Sequence, residues 1–349
     1  MIGALPRRLA PGVVPNRPLQ ALNTFGFRQH ARRYAEATSE AELVRLLDVA
    51  RRERWPVFVL GEGSNLVLTR DVPGLTIRLT DERVVFEHAG PGLGDGRVRV
   101  RAAAGVSWHG LVMRTLDAGA DGLENLALIP GTVGAAPVQN IGAYGVQFAE
   151  RVERVRAWHR PSERFVELTA NECGFAYRDS RFKRERGDWI IVRADFILGG
   201  HRRREIGYAN LARALPSGEE PDARQVAEAV MAVRRSKLPD PALLGNAGSF
   251  FHNPVVSAAQ ADRLRGDCPG LVSWPLPDGR EKLAAGWLID RLGYRGARRG
   301  AVGVHADQAL VLVNDGDGNG TELLALANEI QDAVRLAYGV TLVIEPVVI

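Results

Sequence analysis

The chain has 349 residues, 46% of them hydrophobic, a formal charge of +4 and a pI near 9.3. That length exceeds one ordinary core and calls for two or three domains, while the lack of any apolar run of about 18 residues excludes a membrane-spanning helix. Two distant cysteines, Cys173 and Cys268, form no C-x-x-C, so neither a disulfide framework nor a zinc site is expected.

From Met1 to Leu19 there are Arg7 and Arg8 but no apolar core of a signal peptide, so a cytoplasmic location is expected. Ser39-x-x-Glu42 has the form of a capping box, and Leu43, Leu46, Leu47 and Ala50 follow at helical spacing. Pro56 stops that helix and Val57 to Leu60 reads as a buried strand. Gly61-Glu62-Gly63-Ser64-Asn65 then turns the chain into strand-like Leu66-Val67-Leu68. Val84 to Phe86 and the alternating Val98, Val100, Ala102 and Ala104 suggest a hairpin around a glycine-rich loop at Gly90 to Gly96. Trp108, Leu111, Val112 and Leu116 mark a helix with Gly119 as its C-terminal cap.

Strands are expected at Val152 to Trp158, Phe165 to Leu168 and Trp189 to Leu198, and a helix from Gln225 to Arg235. Lys237-Leu238-Pro239-Asp240-Pro241 breaks it and reads as a linker. Beyond it, helices are expected at Leu283 to Leu292 and Thr321 to Tyr338, and strands at Gln308 to Val313 and Val340 to Ile344. Without a regular βαβ rhythm, this mixture predicts α+β domains. The arginines fall in scattered pairs, such as Arg32-Arg33 and Arg298-Arg299, among acids. Even the run Arg202 to Arg204 meets Glu205. Solvated faces fit better than a nucleic-acid surface, and the mild positive charge suits small anionic ligands.

Two segments have the composition of ligand-cradling backbone. Gly61 to Asn65 follows a strand, but Leu66 replaces the last Rossmann glycine and no helix follows. Its alternatives are a phosphate-facing turn, with Ser64 and Asn65 as donors, and an ordinary hairpin turn. The pentapeptide alone favours the hairpin. The second segment, Ile129 to Gly145, is rich in glycine and alanine and has few polar side chains. Such backbone suits close contact with a pyrophosphate and a flat ring. A closely packed buried turn is the alternative. No P-loop, H-E-x-x-H or histidine metal spacing is present, and no metal is expected.

Three chemical groups stand in telling contexts. Arg178 lies between Tyr177 and Asp179, Ser249 between Gly248 and Phe250-Phe251, and Glu345 before Pro346 in an apolar stretch. A serine beside two phenylalanines suits a water-poor pocket. Read singly, Arg178 could pair with Asp179 or Glu172, Ser249 could cap a turn, and Glu345 could sit on a surface strand.

Asn23-Thr24-Phe25-Gly26, Gly61 to Asn65, Ile129 to Gly145, Tyr177-Arg178-Asp179-Ser180, Lys237 to Pro241, Gly248-Ser249-Phe250-Phe251 and Glu345-Pro346 occur in one order. From about Leu22 onward, this set resembles the UDP-N-acetylenolpyruvoylglucosamine reductase (UDP-N-acetylmuramate dehydrogenase) family of peptidoglycan synthesis, in its longer, type I-like form. The resemblance implies a vanillyl-alcohol-oxidase (PCMH-type) FAD fold. It divides the chain into FAD-binding parts at 1–80 and 81–236 and a substrate part at 237–349. It implies FAD and NADPH as cofactors, with hydride passing through the flavin to the enolpyruvyl group to give UDP-N-acetylmuramate.

By the same resemblance, Ser249 matches a proton donor, and Arg178 and Glu345 match residues that stabilise the intermediate. Tyr208, Lys237, Asn253 and Gln308 match substrate contacts. The cofactor would meet Gly61, Gly63, Ser64, Asn65, Pro130, Gly131, Thr132, Gly134, Ala135, Gln139, Asn140, Gly142, Ala143, Tyr144 and Gly145. A monomer without nucleic-acid or membrane partners is expected. Val347 stands where relatives often carry an acid, and the end at Ile349 suggests a weakly anchored last strand. A carboxylate at Glu345 would repel the charge that builds on the substrate, so it needs a proton or a paired base. Ser249, a weak acid, needs a group behind it to restore its proton. The rivals are another flavin oxidase of this fold and a non-catalytic nucleotide-sugar binder.

Overall fold

The computed structural model describes residues 10–88, 93–94, 96–200, 203–216 and 220–349. Arg7, Arg8, Arg202 and much of the loop at Gly90 to Gly96 lie outside the described residues. By its contacts the chain forms two compact units. One comprises residues up to Arg17, Ala31–Glu62 and Pro73–Arg234. The other comprises Pro18–His30, Gly63–Val72 and Arg235–Ile349.

The first unit begins with a small sheet. Strand Leu75–Leu79 pairs in parallel with His30–Ala37 on one edge and with Val57–Leu60 on the other. Helix Glu40–Arg52 connects the two strands that flank Leu75–Leu79, and buries Leu43, Leu46 and Ala50 against Ala35, Ala37, Leu75 and Ile77. Its capping box is half formed. Ser39 Oγ accepts the Glu42 amide, but the Glu42 carboxylate turns back to the Thr38 amide and hydroxyl.

A five-stranded antiparallel sheet follows, in the order Arg164–Thr169, Val152–His159, Trp189–Gly199, Arg97–Ala103, Val84–Glu87. Its alternating apolar positions, including Val98, Val100, Phe196 and Leu198, face helices Trp108–Asp117 and Ala223–Arg235. Trp108 is fully buried, with its indole N–H donated to the Leu126 carbonyl at 3.0 Å. Each such buried side chain contributes roughly 1.5–3 kcal/mol.

The second unit carries a four-stranded sheet in the order Gly245–Ser249, Val311–Asn314, Val302–Val304, Arg298–Arg299, packed on helix Gly320–Tyr338. Gly339 closes that helix in the left-handed conformation at φ 63°. Strands Val255–Ser257, Arg280–Leu283 and Ser273–Pro275 form a smaller antiparallel sheet. The expected strand at Val340 to Ile344 does not form. Only Ile344 bridges, to Phe251, and the terminal strand is Val347–Val348, parallel to Leu66–Val67. That strand is well anchored, since the Ile349 amide donates to Val67 and its carbonyl accepts from the Thr69 amide. Among the described residues no helix is long and apolar enough to cross a membrane.

Candidate active site

Gly61 to Asn65 is not a hairpin turn. The strands on its two sides pair with different partners, Val57–Leu60 with Leu75–Leu79 and Leu66–Val67 with Val347–Val348. Gly63 is demanded by packing within its own unit: at φ 66°, an added Cβ would lie 2.2 Å from the Leu22 carbonyl oxygen. The neighbouring Leu22–Asn23 backbone is by itself a sufficient reason for this glycine. Asn65 donates to the Glu345 carbonyl at 3.4 Å, so its amide braces the backbone of an expected catalytic residue.

The segment Ile129 to Gly145 is a chain of tight turns. The amides of Val133, Gly134, Ala135, Ala136, Val138, Asn140 and Ile141 are all donated to protein carbonyls. Gly131 gives its amide to the Glu62 carboxylate at 2.8 Å. Among the residues expected to meet the cofactor, Gly131, Gly134, Ala135 and Asn140 therefore have their amides engaged within the protein, as a closely packed turn would require. Gly134 is required there, since a Cβ would stand 2.7 Å from that of Ala104. Pro130, Ala135 and Gly145 are exposed, while Thr132 and Asn140 are buried. Asn140 is structural: its amide donates to Gln147 and the Ala176 carbonyl, and its oxygen accepts from Ala149.

Arg178 occupies the third position of the tight turn Ala176–Asp179, closed by reciprocal backbone bonds of 3.0 and 3.2 Å. Its own φ is 53°, in the left-handed region that a side chain occupies at a cost of roughly 1–2 kcal/mol. The turn is fastened on every side. Arg178 donates to the Gly142 carbonyl at 2.9 Å, Lys183 Nζ donates to the Arg178 carbonyl at 2.9 Å, and Ser180 Oγ donates to Val138 at 2.6 Å. Asp179 pairs with Arg184, and Glu172 accepts from Thr169, so the two acids suggested as structural partners are occupied elsewhere. Gly142 and Arg178 thus lie together, as do Tyr144 and Tyr208, whose rings meet edge to face at 5.3 Å.

Sequence reading missed Arg234 and Glu62 in this unit. Desolvation holds Arg234 below the usual arginine range, Tyr144 partly offsets that, and the like charge of Arg178 adds to it. Two like charges held near each other in partly buried surroundings are suited to an anionic ligand. The signal for Arg234 was present in the Arg234-Arg235 pair but looked like ordinary surface charge. Burial likewise raises the Glu62 carboxyl above its ordinary value, while the Gly131 amide, Arg78 and Ser107 pull it back.

In the second unit, Ser249 and Glu345 share a backbone frame. The Glu345 amide donates to the Phe250 carbonyl at 2.9 Å and Phe251 bridges Ile344, which places Glu345 beside the residue next to Ser249. The expected water-poor setting of the serine is not found. Phe250 and Phe251 are buried at 0% and 1% exposure, with Phe250 packed on Phe25, while Ser249 is exposed. The aromatics turn into the core and the hydroxyl turns out. His252 Nδ1 lies 3.4 Å from Glu345 Oε2, a neighbour that sequence reading did not pick out.

Asn253 Oδ1 accepts the Ala285 amide at 3.0 Å and so steadies the start of helix Ala285–Arg291. Gln308 is half-buried, and Lys237 is exposed. Among the described residues no cluster of three or more acidic, histidine or cysteine side chains could hold a metal ion.

The family profile described as the FAD binding domain matches residues 31–169. That of the C-terminal domain of UDP-N-acetylenolpyruvoylglucosamine reductase matches residues 240–349. The reductase of Bordetella pertussis is 50% identical over 356 aligned residues, covering 100% of this chain and 99% of its own length. The chain belongs to the UDP-N-acetylenolpyruvoylglucosamine reductase family. The relative from Ralstonia nicotianae is 49% identical and aligns over 96% of this chain and 98% of its own. The crystal structure of the reductase from Thermus caldophilus superposes with a TM-score of 0.65 at 26% identity, covering 96% of this chain and 97% of that one. The resemblance read from the ordered motifs therefore holds, and so does the α+β FAD-binding fold. Members of this family are FAD-dependent oxidoreductases, and so is this chain.

Proposed function

We infer that the enzyme uses NADPH to reduce UDP-N-acetylenolpyruvoylglucosamine to UDP-N-acetylmuramate, a cytoplasmic step of peptidoglycan synthesis. What carries the reading is the backbone tie from Glu345 to Phe250, beside Ser249, in a chain half identical to reductases of that name. Bound FAD supplies the hydride that reaches the enolpyruvyl methylene carbon. The division into FAD-holding parts at 1–80 and 81–236 and a substrate part at 237–349 belongs to the same proposal.

Negative charge then builds on the substrate carboxylate. Arg178 is suited to meet it, because a guanidinium keeps its charge and its turn keeps it in place. Ser249 Oγ delivers the proton to the adjacent carbon, and its exposed hydroxyl is reachable by a ligand. Glu345 stands behind this step with a proton or a paired base. Tyr208, Lys237, Asn253 and Gln308 hold the substrate, Lys237 and Asn253 at its uridine diphosphate, with Tyr208 exposed at 48% on the loop before helix Ala209–Ala214.

The purified protein is expected to be yellow. NADPH should bleach it without oxygen, and the enolpyruvyl substrate should restore the colour. Acid precipitation should release all flavin to the supernatant. Protein that does not bleach, or bleaches and is not reoxidised by that substrate, would contradict the reading.

A further inference from the structure

We propose that His252 is the positioning residue for Glu345, holding its carboxylate through Oε2 and offsetting its charge. The inference rests on the reading that Glu345 acts on the substrate. His252 Nδ1 and Glu345 Oε2 are 3.4 Å apart, and the two side chains are only 18% and 14% exposed. A carboxylate so enclosed needs a compensating partner.

The backbone makes this contact reproducible. His252 donates its amide to the Val343 carbonyl at 2.9 Å, Phe251 bridges Ile344, and the Glu345 amide donates to Phe250 at 2.9 Å. His252 and Glu345 are therefore diagonal neighbours across an antiparallel pair, within reach of each other's side chains. From the other side, Asn65 donates to the Glu345 carbonyl at 3.4 Å and accepts the Val347 amide at 2.9 Å. The main chain of Glu345 is fixed twice, and what remains to be set is the side-chain rotamer and its charge. An imidazole at Oε2 does both. It draws negative charge to the oxygen it faces, so the pair meets the growing enediolate with less repulsion than a bare carboxylate would.

His252→Leu removes the ring nitrogens at similar volume, and His252→Asn keeps a donor near the Nδ1 position. Both are compared with Glu345→Gln and with the double variant His252→Leu/Glu345→Gln. Flavin content and reduction by NADPH report folding and loading of each sample. The readout is anaerobic stopped-flow reoxidation by UDP-N-acetylenolpyruvoylglucosamine, separated into limiting rate and half-saturation. His252→Leu should lower the limiting rate on the order of 10²-fold, with half-saturation nearly unmoved. His252→Asn should recover most of the rate, and the double variant should be no slower than Glu345→Gln alone.

A wild-type limiting rate in His252→Leu, or losses that multiply in the double variant, would overturn the positioning role while leaving Glu345 in the site. A wild-type rate in Glu345→Gln would instead remove the reading on which the proposal rests. If His252→Leu does not load flavin, the comparison of His252→Asn with His252→Gln decides. Gln places its amide nearer the Nε2 position, so equal rates in the two would overturn the assignment to Nδ1.

Discussion

Arg178 and Ser249 are presented by very different backbones. The arginine sits in a left-handed turn fastened by Gly142, Lys183 and the reciprocal bonds of Ala176 and Asp179. The serine ends an exposed strand edge, where only its neighbours Phe250 and Phe251 are anchored in a core. A cation that must face a growing charge gains from rigid placement, because reorganisation during the reaction is costly. A hydroxyl that must reach one carbon needs a correct position only once the ligand is present. On the proposed roles, the strain is kept where charge would be stabilised and not where the proton would be delivered.

That contrast can be broken at either end. The largest effect is expected for Arg178→Lys, which keeps the charge but loses the planar fork and its tie to Gly142. Reoxidation by substrate should fall on the order of 10²–10³-fold in stopped flow, with flavin reduction by NADPH much less affected. An equal loss in both half-reactions would mean that the strained turn serves the cofactor and not the substrate.

A smaller effect sharpens the picture of the cofactor side. Burial raises Glu62, which grips the Gly131 amide, above its ordinary value of 4.5. The folded state therefore holds that proton more tightly than the unfolded chain. Stability from this group is greatest below pH 4.5 and declines as the pH rises through the window up to the raised value. Thermal melts of Glu62→Gln should lack that decline while keeping an acceptor for Gly131. Parallel melting curves for the two proteins across this window would contradict the burial of Glu62.

How much of this was legible depended on where the partners lay in the chain. The helix Gly320–Tyr338 was readable, because its spacing is a local signal. The turn at Gly61 to Asn65 was not, because its second strand pairs with Val347–Val348 at the other end of the sequence. The same holds for Val340 to Ile344, whose apolar run is consumed by a single bridge to Phe251 and by packing of Val340 and Leu342 rather than by a ladder. Ser249 was singled out for its flanking aromatics, yet those rings point inward and say nothing about the hydroxyl. Arg234 and Glu62 in one unit and His252 in the other were not singled out, because each draws its electrostatic setting from neighbours that only the fold supplies. They matter through what the fold brings beside them.

The most direct test of the account is anaerobic reoxidation of NADPH-reduced Ser249→Ala by UDP-N-acetylenolpyruvoylglucosamine. A variant that binds FAD and is reduced by NADPH normally, but is reoxidised 10²–10⁴-fold more slowly, is the predicted result for a positioned proton donor. Reoxidation of Ser249→Ala at the wild-type rate would contradict it and assign the proton to another group.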